Sequence, residues 1–309
     1  MKTIKCLLSI RKGLRLDKTS RKLFYITREK IKTFIKKKIR LDGFTVKQNI
    51  FLNKFKWISL IHYTKLYIVE RVFEPDYFYK NYENNEILVI NKRFGLVVHP
   101  SKSNIKGTLV NAILSYKKTD FINLPRAGLV HRIDKDTSGL VIIAKNLVSY
   151  RDLKTKIKEK SIIREYDVVV LGQLDIGGYI NSQIGRNIKY RKKKNIVNDE
   201  GKIAITHFRV LERFNTHTYL RCWLETGRTH QIRVHMQSIS RAVIGDELYL
   251  NNKILPNLNI RQALHAHCLI LKHPSKQIYI KLLAKLPKDM TLLLALLRTN
   301  KIHTISHTL

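Results

Sequence analysis

Cysteine is scarce in this 309-residue chain, with only Cys6, Cys222 and Cys268. An odd number without CxxC spacing excludes a disulfide framework or a cysteine-rich zinc site and suits a reducing compartment. Six prolines and thirteen glycines exclude collagen-like and low-complexity architectures. Long apolar runs are missing too. The run Leu292–Leu297 falls far short of the roughly 20 residues a membrane span needs. The stretch Cys6-Leu7-Leu8-Ser9-Ile10, followed at once by Arg11 and Lys12, is too brief for a signal-peptide core. No membrane association and a cytoplasmic location are therefore expected. Acidic residues are also few: 23 Asp and Glu face 59 Lys and Arg, a formal charge of +36. No HExxH, GxGxxG or Walker loop occurs, so no metal and no cofactor are expected.

What is present begins with that charge. A cationic excess of this size calls for a polyanion, and nucleic acid is the first candidate, because each neutralised phosphate releases condensed counterions. Part of the excess belongs to a Lys-, Ile- and Asn-rich composition of the kind AT-rich genomes impose. An acidic membrane surface competes less well, since the charge is dispersed along the chain. Hydrophobic residues make up 44%, enough for a sizeable core and too many for general disorder. The length admits one large domain or two ordinary ones.

Charge is densest over residues 1–60, where eighteen Lys or Arg meet three acidic residues. There Thr27–Lys36 reads as a short amphipathic helix, with Thr27 as N-cap and Ile31, Phe34 and Ile35 on one face. Residues 39–46 alternate around Asp42-Gly43, a hairpin signal. A basic helix with a hairpin presents Lys30, Lys36 and Arg40 to RNA, although a solvated charged face fits the pattern equally. Residues 66–82 read as a connector. From Glu86 onward, short β-rich runs appear at 87–90, 140–144, 166–171, 205–211 and 218–224. Helical patterns sit at about 147–158, 229–238 and 288–298. Strands and helices do not alternate regularly, which predicts a mixed, largely antiparallel α+β domain.

Three segments crowd polar residues where elements begin. In Arg126–Leu140 a dense turn, ending in Ser138-Gly139, runs into an apolar strand, and such turns are where scaffolds hold reactive groups. Cations on either side of Asp134, Arg132 and Lys135, favour its carboxylate form. In Leu224–Met236 a strand ends at Thr226-Gly227 and Thr229 is the expected helix cap. Arg228 precedes that helix and Arg233 lies one turn in, where it can reach a carboxylate across a cleft. His230 and His235 are five apart, not the i, i+4 pair of a zinc helix. In Ile163–Val170 a tyrosine, Tyr166, stands at a strand start. Each segment alone also has a plain structural reading, as a turn cap or as core.

Together they resemble the RluA family of RNA pseudouridine synthases, most closely its RluD-type members that act on large-subunit ribosomal RNA. The likeness spans about Glu86–Met290. It includes Ile87–Lys92, Gly95–Pro100, Gly107–Ala112, His131–Leu140, Arg164-Glu165-Tyr166, Thr226–His235, Gly245-Asp246 and Arg261–Ala266, in the family's order. Residues 13–65 are more loosely similar to the alpha-L RNA-binding module that precedes many such domains. The division implied is a basic tail at 1–12, an alpha-L-like domain at 13–65, a linker at 66–82 and a pseudouridine synthase domain at 83–309.

The resemblance implies Asp134 as catalytic aspartate, Arg233 as its ion-pairing arginine and Tyr166 as the tyrosine against the target base. Arg132 matches a residue that helps displace the nucleotide, and His131 and Arg228 are expected at the RNA with Lys30, Lys36 and Arg40. It further implies isomerisation of specific uridines in a stem-loop of large-subunit rRNA; that reaction involves no redox step or net group transfer and so needs no cofactor, and a monomer is the default expectation. The carboxylate either attacks C1′ or removes a sugar proton. A non-catalytic ribosome-assembly factor is the alternative, and a buried carboxylate, which binding alone does not need, speaks against it. The sequence departs from the pattern at Arg93, Ile133, Ala242 and Leu250, which places loop rigidity near 93 and 242–250 in question.

Overall fold

The computed structural model describes residues 2–8, 14–15, 39–41, 44–45, 51–52, 56–62, 78–101, 104–187, 190, 193–250, 261–276 and 278–299. The chain divides into two compact units, 1–67 and 68–309. In the first, strands β1 (Lys2–Leu8), β6 (Lys56–His62), β3 (Ile39–Leu41) and β4 (Phe44–Thr45) lie side by side in that order. A second, two-stranded pairing joins β2 (Leu14–Arg15) to β5 (Phe51–Leu52). The β3–β4 pair is antiparallel, with Leu41 opposite Phe44 across Asp42-Gly43, so the hairpin signal is realised. The expected helix over 27–36, with Lys30 and Lys36, lies outside the described residues.

The second unit is built on ten strands: β7 (Phe78–Glu83), β8 (Ile87–Lys92), β9 (Ser138–Ala144), β10 (Ile163–Leu171), β11 (Gly178–Arg186), β12 (Lys194–Ile196), β13 (Lys202–Arg213), β14 (His217–Leu224), β15 (Leu264–Lys272) and β16 (Tyr279–Leu283). They follow the order β12-β11-β13-β14-β10-β15-β9-β8-β7, with β16 attached to β15. Among the described strands every pairing is antiparallel except β9 with β15, which run parallel through Ser138–His265 and Gly139–Ala266. This is the mixed, largely antiparallel sheet expected from the sequence. The central strands are apolar because both faces are covered, and every residue of β9 is buried.

Helices α1 (Leu109–Tyr116), α2 (Leu147–Lys158), α3 (Gln231–Ser238) and α4 (Lys288–Arg298) complete the unit. Asn146 caps α2 by accepting the Ser149 N–H at 2.8 Å. That helix lays Tyr150, Leu153 and Ile157 over Ile87, Val89, Leu140, Ile142 and Leu269. Met290, Leu293, Leu294 and Leu297 of α4 pack on Val169, Tyr219, Ile244 and Ala263. On α3, Val234 meets Ile184, Ala204 and Tyr249, and this contact sets the helix against β11 and β13, toward the β12 end of the sheet.

The connector predicted over 66–82 ends too late: residues 78–82 already belong to β7, paired with β8. Its side chains, three exposed and three partly buried, give an edge strand no alternation to read. Glu83 fastens that edge. It accepts from Tyr116 Oη at 2.8 Å, Lys117 Nζ at 3.0 Å and Lys145 Nζ at 2.8 Å. Burial acts to raise its carboxyl, but hydrogen bonds from Lys145, Lys117, Tyr116 and Lys80 outweigh it and bring it down to about 2. A depressed acid stabilises the fold above its unfolded pKa and loses that contribution as pH falls through the folded one. Glu83→Gln should therefore lower the urea midpoint at pH 7. The gap to the unmodified chain should close as pH drops from about 4.5 toward 2, as denaturation series across that range would measure.

Candidate active site

The segment ahead of β9 has to turn sharply before entering the core. Thr137 N–H closes the turn onto Asp134 O at 3.3 Å. Gly139 then brings its backbone against β15, where a Cβ would lie 2.3 Å from Ala266 O, and its φ of +114° also favours glycine. Three long side chains grip the turn from behind. Lys92, fully buried, donates to Lys135 O at 2.8 Å, Arg93 O at 2.7 Å and Leu96 O at 3.1 Å. Arg261 donates to Asp136 O at 2.9 Å and to Ser138 Oγ at 2.9 Å, while its Nε pairs with Asp289 at 2.7 Å. Gln262 Nε2 donates to Thr137 Oγ1 at 2.6 Å. Desolvation pushes the Lys92 ammonium down to about 7, against the nearby charge of Asp136.

The turn presents Asp134 to Arg233 of α3, 99 residues away in sequence. Arg233 Nη1 donates to Asp134 Oδ2 at 3.0 Å. The other edge of the guanidinium is committed elsewhere: Nε and Nη2 donate to Asp246 Oδ2 at 2.6 Å and Oδ1 at 2.8 Å. The two-bond fork thus holds Asp246, a wholly buried carboxylate that also accepts the N–H groups of Leu248 and Tyr249. Burial acts to lower the Arg233 pKa. The bonds and charge of Asp246, then Asp134, overcome it and raise the group above its ordinary value. The Tyr249 ring lies against the guanidinium, 5.0 Å from Cζ.

Asp134, Arg233 and Tyr166 line one cleft with Arg132, Arg228 and His230, enclosing about 550 Å³ of empty space open to solvent. Tyr166 is buried in β10. Burial raises its phenol pKa, Arg164 opposes and Asp134 adds, which keeps the ring neutral. Arg132 and Arg228 are exposed at the cleft, and Arg228 Nε reaches Ile203 O at 3.0 Å.

Two expectations need correction. His131 is turned into the fold: its Nε2 accepts the Ile142 N–H at 2.9 Å and Nδ1 is buried with no partner among the described residues. Desolvation, with Arg164 and Lys154 nearby, drives its pKa to about 3, so this neutral ring pins the turn to β9. Thr229 does not cap α3. The N-cap position falls on His230, in the left-handed region at φ 59°. Gln231 organises the entry instead, accepting from Arg228 N–H and Thr226 Oγ1 and donating to Ile205 O and Thr206 Oγ1. The paired grip of Arg233 belongs to Asp246, a residue the sequence marked only within Gly245-Asp246 and gave no role. At the departures near 93 and 242 the structure shows specific contacts. Arg93 packs on the Tyr79 ring, and Leu171 N–H ties to Ala242 O at 2.9 Å.

The cleft thus holds one carboxylate toward open space, bonded to a buried guanidinium and close to a neutral tyrosine. A family model described as RNA pseudouridylate synthase matches residues 86–238. The chain is 48% identical over 230 residues to a protein of Buchnera aphidicola subsp. Baizongia pistaciae named "Ribosomal large subunit pseudouridine synthase D", covering 71% of this chain and 72% of the relative. A protein of the same name from Buchnera aphidicola subsp. Acyrthosiphon pisum is 42% identical over 298 residues, 91% of this chain and 94% of the relative. The solved structure titled "Human RNA Pseudouridylate Synthase Domain Containing 4" shares the fold, with a TM-score of 0.57 at 21% identity over 71% of this chain and 92% of that one. The chain belongs to the RNA pseudouridine synthase family and is an isomerase.

Removing one partner of a buried ion pair leaves an uncompensated charge. Asp246→Asn is expected to cost roughly 3 kcal/mol, the low end for such a break because Arg233 keeps Asp134. Asp134→Asn, at the open edge of the cleft, should cost less. Urea unfolding of the two variants checks the order.

Proposed function

We propose that this protein converts uridine to pseudouridine in large-subunit ribosomal RNA, with Asp134 as the group that acts at the ribose. In the net reaction the N1–C1′ bond breaks and a C5–C1′ bond forms, C5 gives up its proton and N1 gains one. No electrons and no external group enter. Addition of a carboxylate to C1′ and removal of a sugar proton both start from a carboxylate anion next to the sugar. The observation that carries this reading is the 3.0 Å bond from Arg233 Nη1 to Asp134 Oδ2 at the edge of the cleft. It places fixed positive charge against the reacting anion while the other carboxylate oxygen has no partner among the described residues.

A stacked base must leave its helix to reach such a cleft, at a cost of a few kcal/mol. Arg132, exposed beside Asp134, is placed to hold the displaced strand. Tyr166 offers a neutral aromatic face to the extruded base. The substrate assignment rests on the names of the relatives above and on the charge of +36. We assign residues 13–65 as an RNA-binding domain on their likeness to the alpha-L module. A monomer acting in the cytoplasm completes the reading.

Asp134→Asn keeps shape and removes charge. Turnover measured by pseudouridine mapping of the rRNA should vanish, while RNA affinity stays within a few-fold; loss of binding would make Asp134 structural instead. The triple variant Lys30→Gln, Lys36→Gln, Arg40→Gln should weaken RNA binding and flatten the slope of log K against log salt. The expected change is about 0.7–0.9 for each phosphate that is no longer neutralised. An unchanged slope in filter-binding titrations would mean that these cations face solvent only.

A further inference from the structure

His230 sits at the cleft in a conformation that few non-glycine residues adopt, φ 59° and ψ 20°. The turn places its ring between Asp134 and Tyr249. Nε2 lies 4.0 Å from Asp134 Oδ2, and Nδ1 lies 2.9 Å from Tyr249 Oη. The tautomer follows from the partners of that phenol. Tyr249 Oη accepts the backbone N–H of Lys194 at 2.8 Å, so its own proton is free to be donated. Tyr249 is buried, and among the described residues His230 Nδ1 is the acceptor within reach. A phenol proton pointed at Nδ1 leaves the imidazole hydrogen on Nε2. The opposite tautomer would strand that proton and set a nitrogen lone pair against the Asp134 carboxylate.

Tyr249 is itself fixed by the same anchor as Arg233. Asp246 Oδ1 accepts the Tyr249 N–H at 3.3 Å and the Leu248 N–H at 3.0 Å, while both its oxygens hold the guanidinium. One buried carboxylate therefore sets two arms that converge on Asp134 Oδ2. The first is the Arg233 bond already made. The second is the Tyr249–His230 pair, one short movement from contact.

We propose that His230, held as the Nε2–H tautomer by Tyr249, is a second positioning residue for the reactive carboxylate, closing onto Asp134 Oδ2 when RNA fills the cleft so that Oδ1 alone faces the ribose. This rests on the pseudouridine synthase reading of the site. The groups facing the imidazole are Asp134, Asp246, Arg233, Lys194 and Tyr249. Burial lowers its pKa, with Arg233 and Lys194 acting in the same direction and Asp134 and Asp246 against it. A neutral donor at working pH is the form the geometry uses.

Long-range proton–nitrogen correlation spectra of the intact enzyme, assigned with His230→Gln, should show the His230 proton on Nε2; a proton on Nδ1 overturns the proposal. Tyr249→Phe keeps the ring under Arg233 and removes the hydroxyl. On an rRNA fragment its kcat should fall roughly tenfold with KM nearly unchanged, the effect of one misdirected hydrogen bond in the transition state. The acid limb of kcat should move upward in pH, because Nδ1 no longer accepts from the phenol and takes up a proton more readily. His230→Gln, which retains an N–H near Nε2, should keep several-fold more kcat than His230→Ala. Equal losses in those two, or a Tyr249→Phe enzyme with an unaltered rate and pH profile, overturn the role while wild-type turnover continues. Absence of pseudouridine in wild-type reactions would instead remove the functional reading, and the role with it.

Discussion

One guanidinium shared by two carboxylates is the constraint on which the site depends. Arg233 is nearly sealed from solvent, and a cation there is tolerable only with anions beside it. Asp246 supplies two bonds from the rear and Asp134 receives the third at the open side. The planar fork of arginine makes this division possible, since its N–H groups point along separate edges. A lysine ammonium at the same place would carry the charge without the two directions. Asp246 has no access to the cleft: it is wholly buried and spends its oxygens on Arg233 and on two backbone N–H groups. Its work is to keep the guanidinium turned toward the cleft.

The anion must also be held from its own side. Lys92, Arg261 and Gln262 reach the turn after Asp134 at three successive residues, Lys135, Asp136 and Thr137. They come from two distant segments, Lys92 at the end of β8 and Arg261-Gln262 just ahead of β15, so the turn is fixed by the folded unit and not by local propensity. Buried charged donors to carbonyls are costly to assemble, and the return is a carboxylate whose backbone has little freedom. His131 adds to this from the strand side, trading its charge for a bond to Ile142.

Much of this was legible in the sequence, and the illegible parts share a physical cause. Strands β8 and β9 announce themselves as unbroken apolar runs because both faces are covered. The edge strand β7 and the outlying strand β11, paired between β12 and β13, have almost no fully buried residues and offered no period to read. Asp134, Arg233 and Tyr166 could be placed together because their motifs survive in order. Asp246 could not be assigned, since a carboxylate after a glycine looks like any turn and its function depends on where α3 comes to lie. His131 misled for the opposite reason. A histidine among polar turn residues looks available to a ligand, and only the packing of the turn against β9 reveals a buried ring. Lys92 carried no sign of burial either, because its reason for being there is a set of carbonyls, two in the loop that follows it and one from the distant turn at Lys135.

The parallel contact between β9 and β15 explains why the site forms at this point of the sheet. A parallel neighbour cannot be reached by a tight hairpin, so β9 and β15 come from distant segments and their joint is a seam between two antiparallel halves. β15 serves β9 only through His265 and Ala266 and then turns the same edge to β16. The seam is thus short, and the chain entering β9 must approach it closely, which Gly139 permits. Asp134 sits just ahead of that approach, on one half, while Arg233 is carried by a helix packed on the other half through Val234. The bond between them crosses the seam. Any shift of one half against the other would change the Asp134–Arg233 distance, so the buried core on both sides of the seam and the geometry of this ion pair are maintained by the same packing.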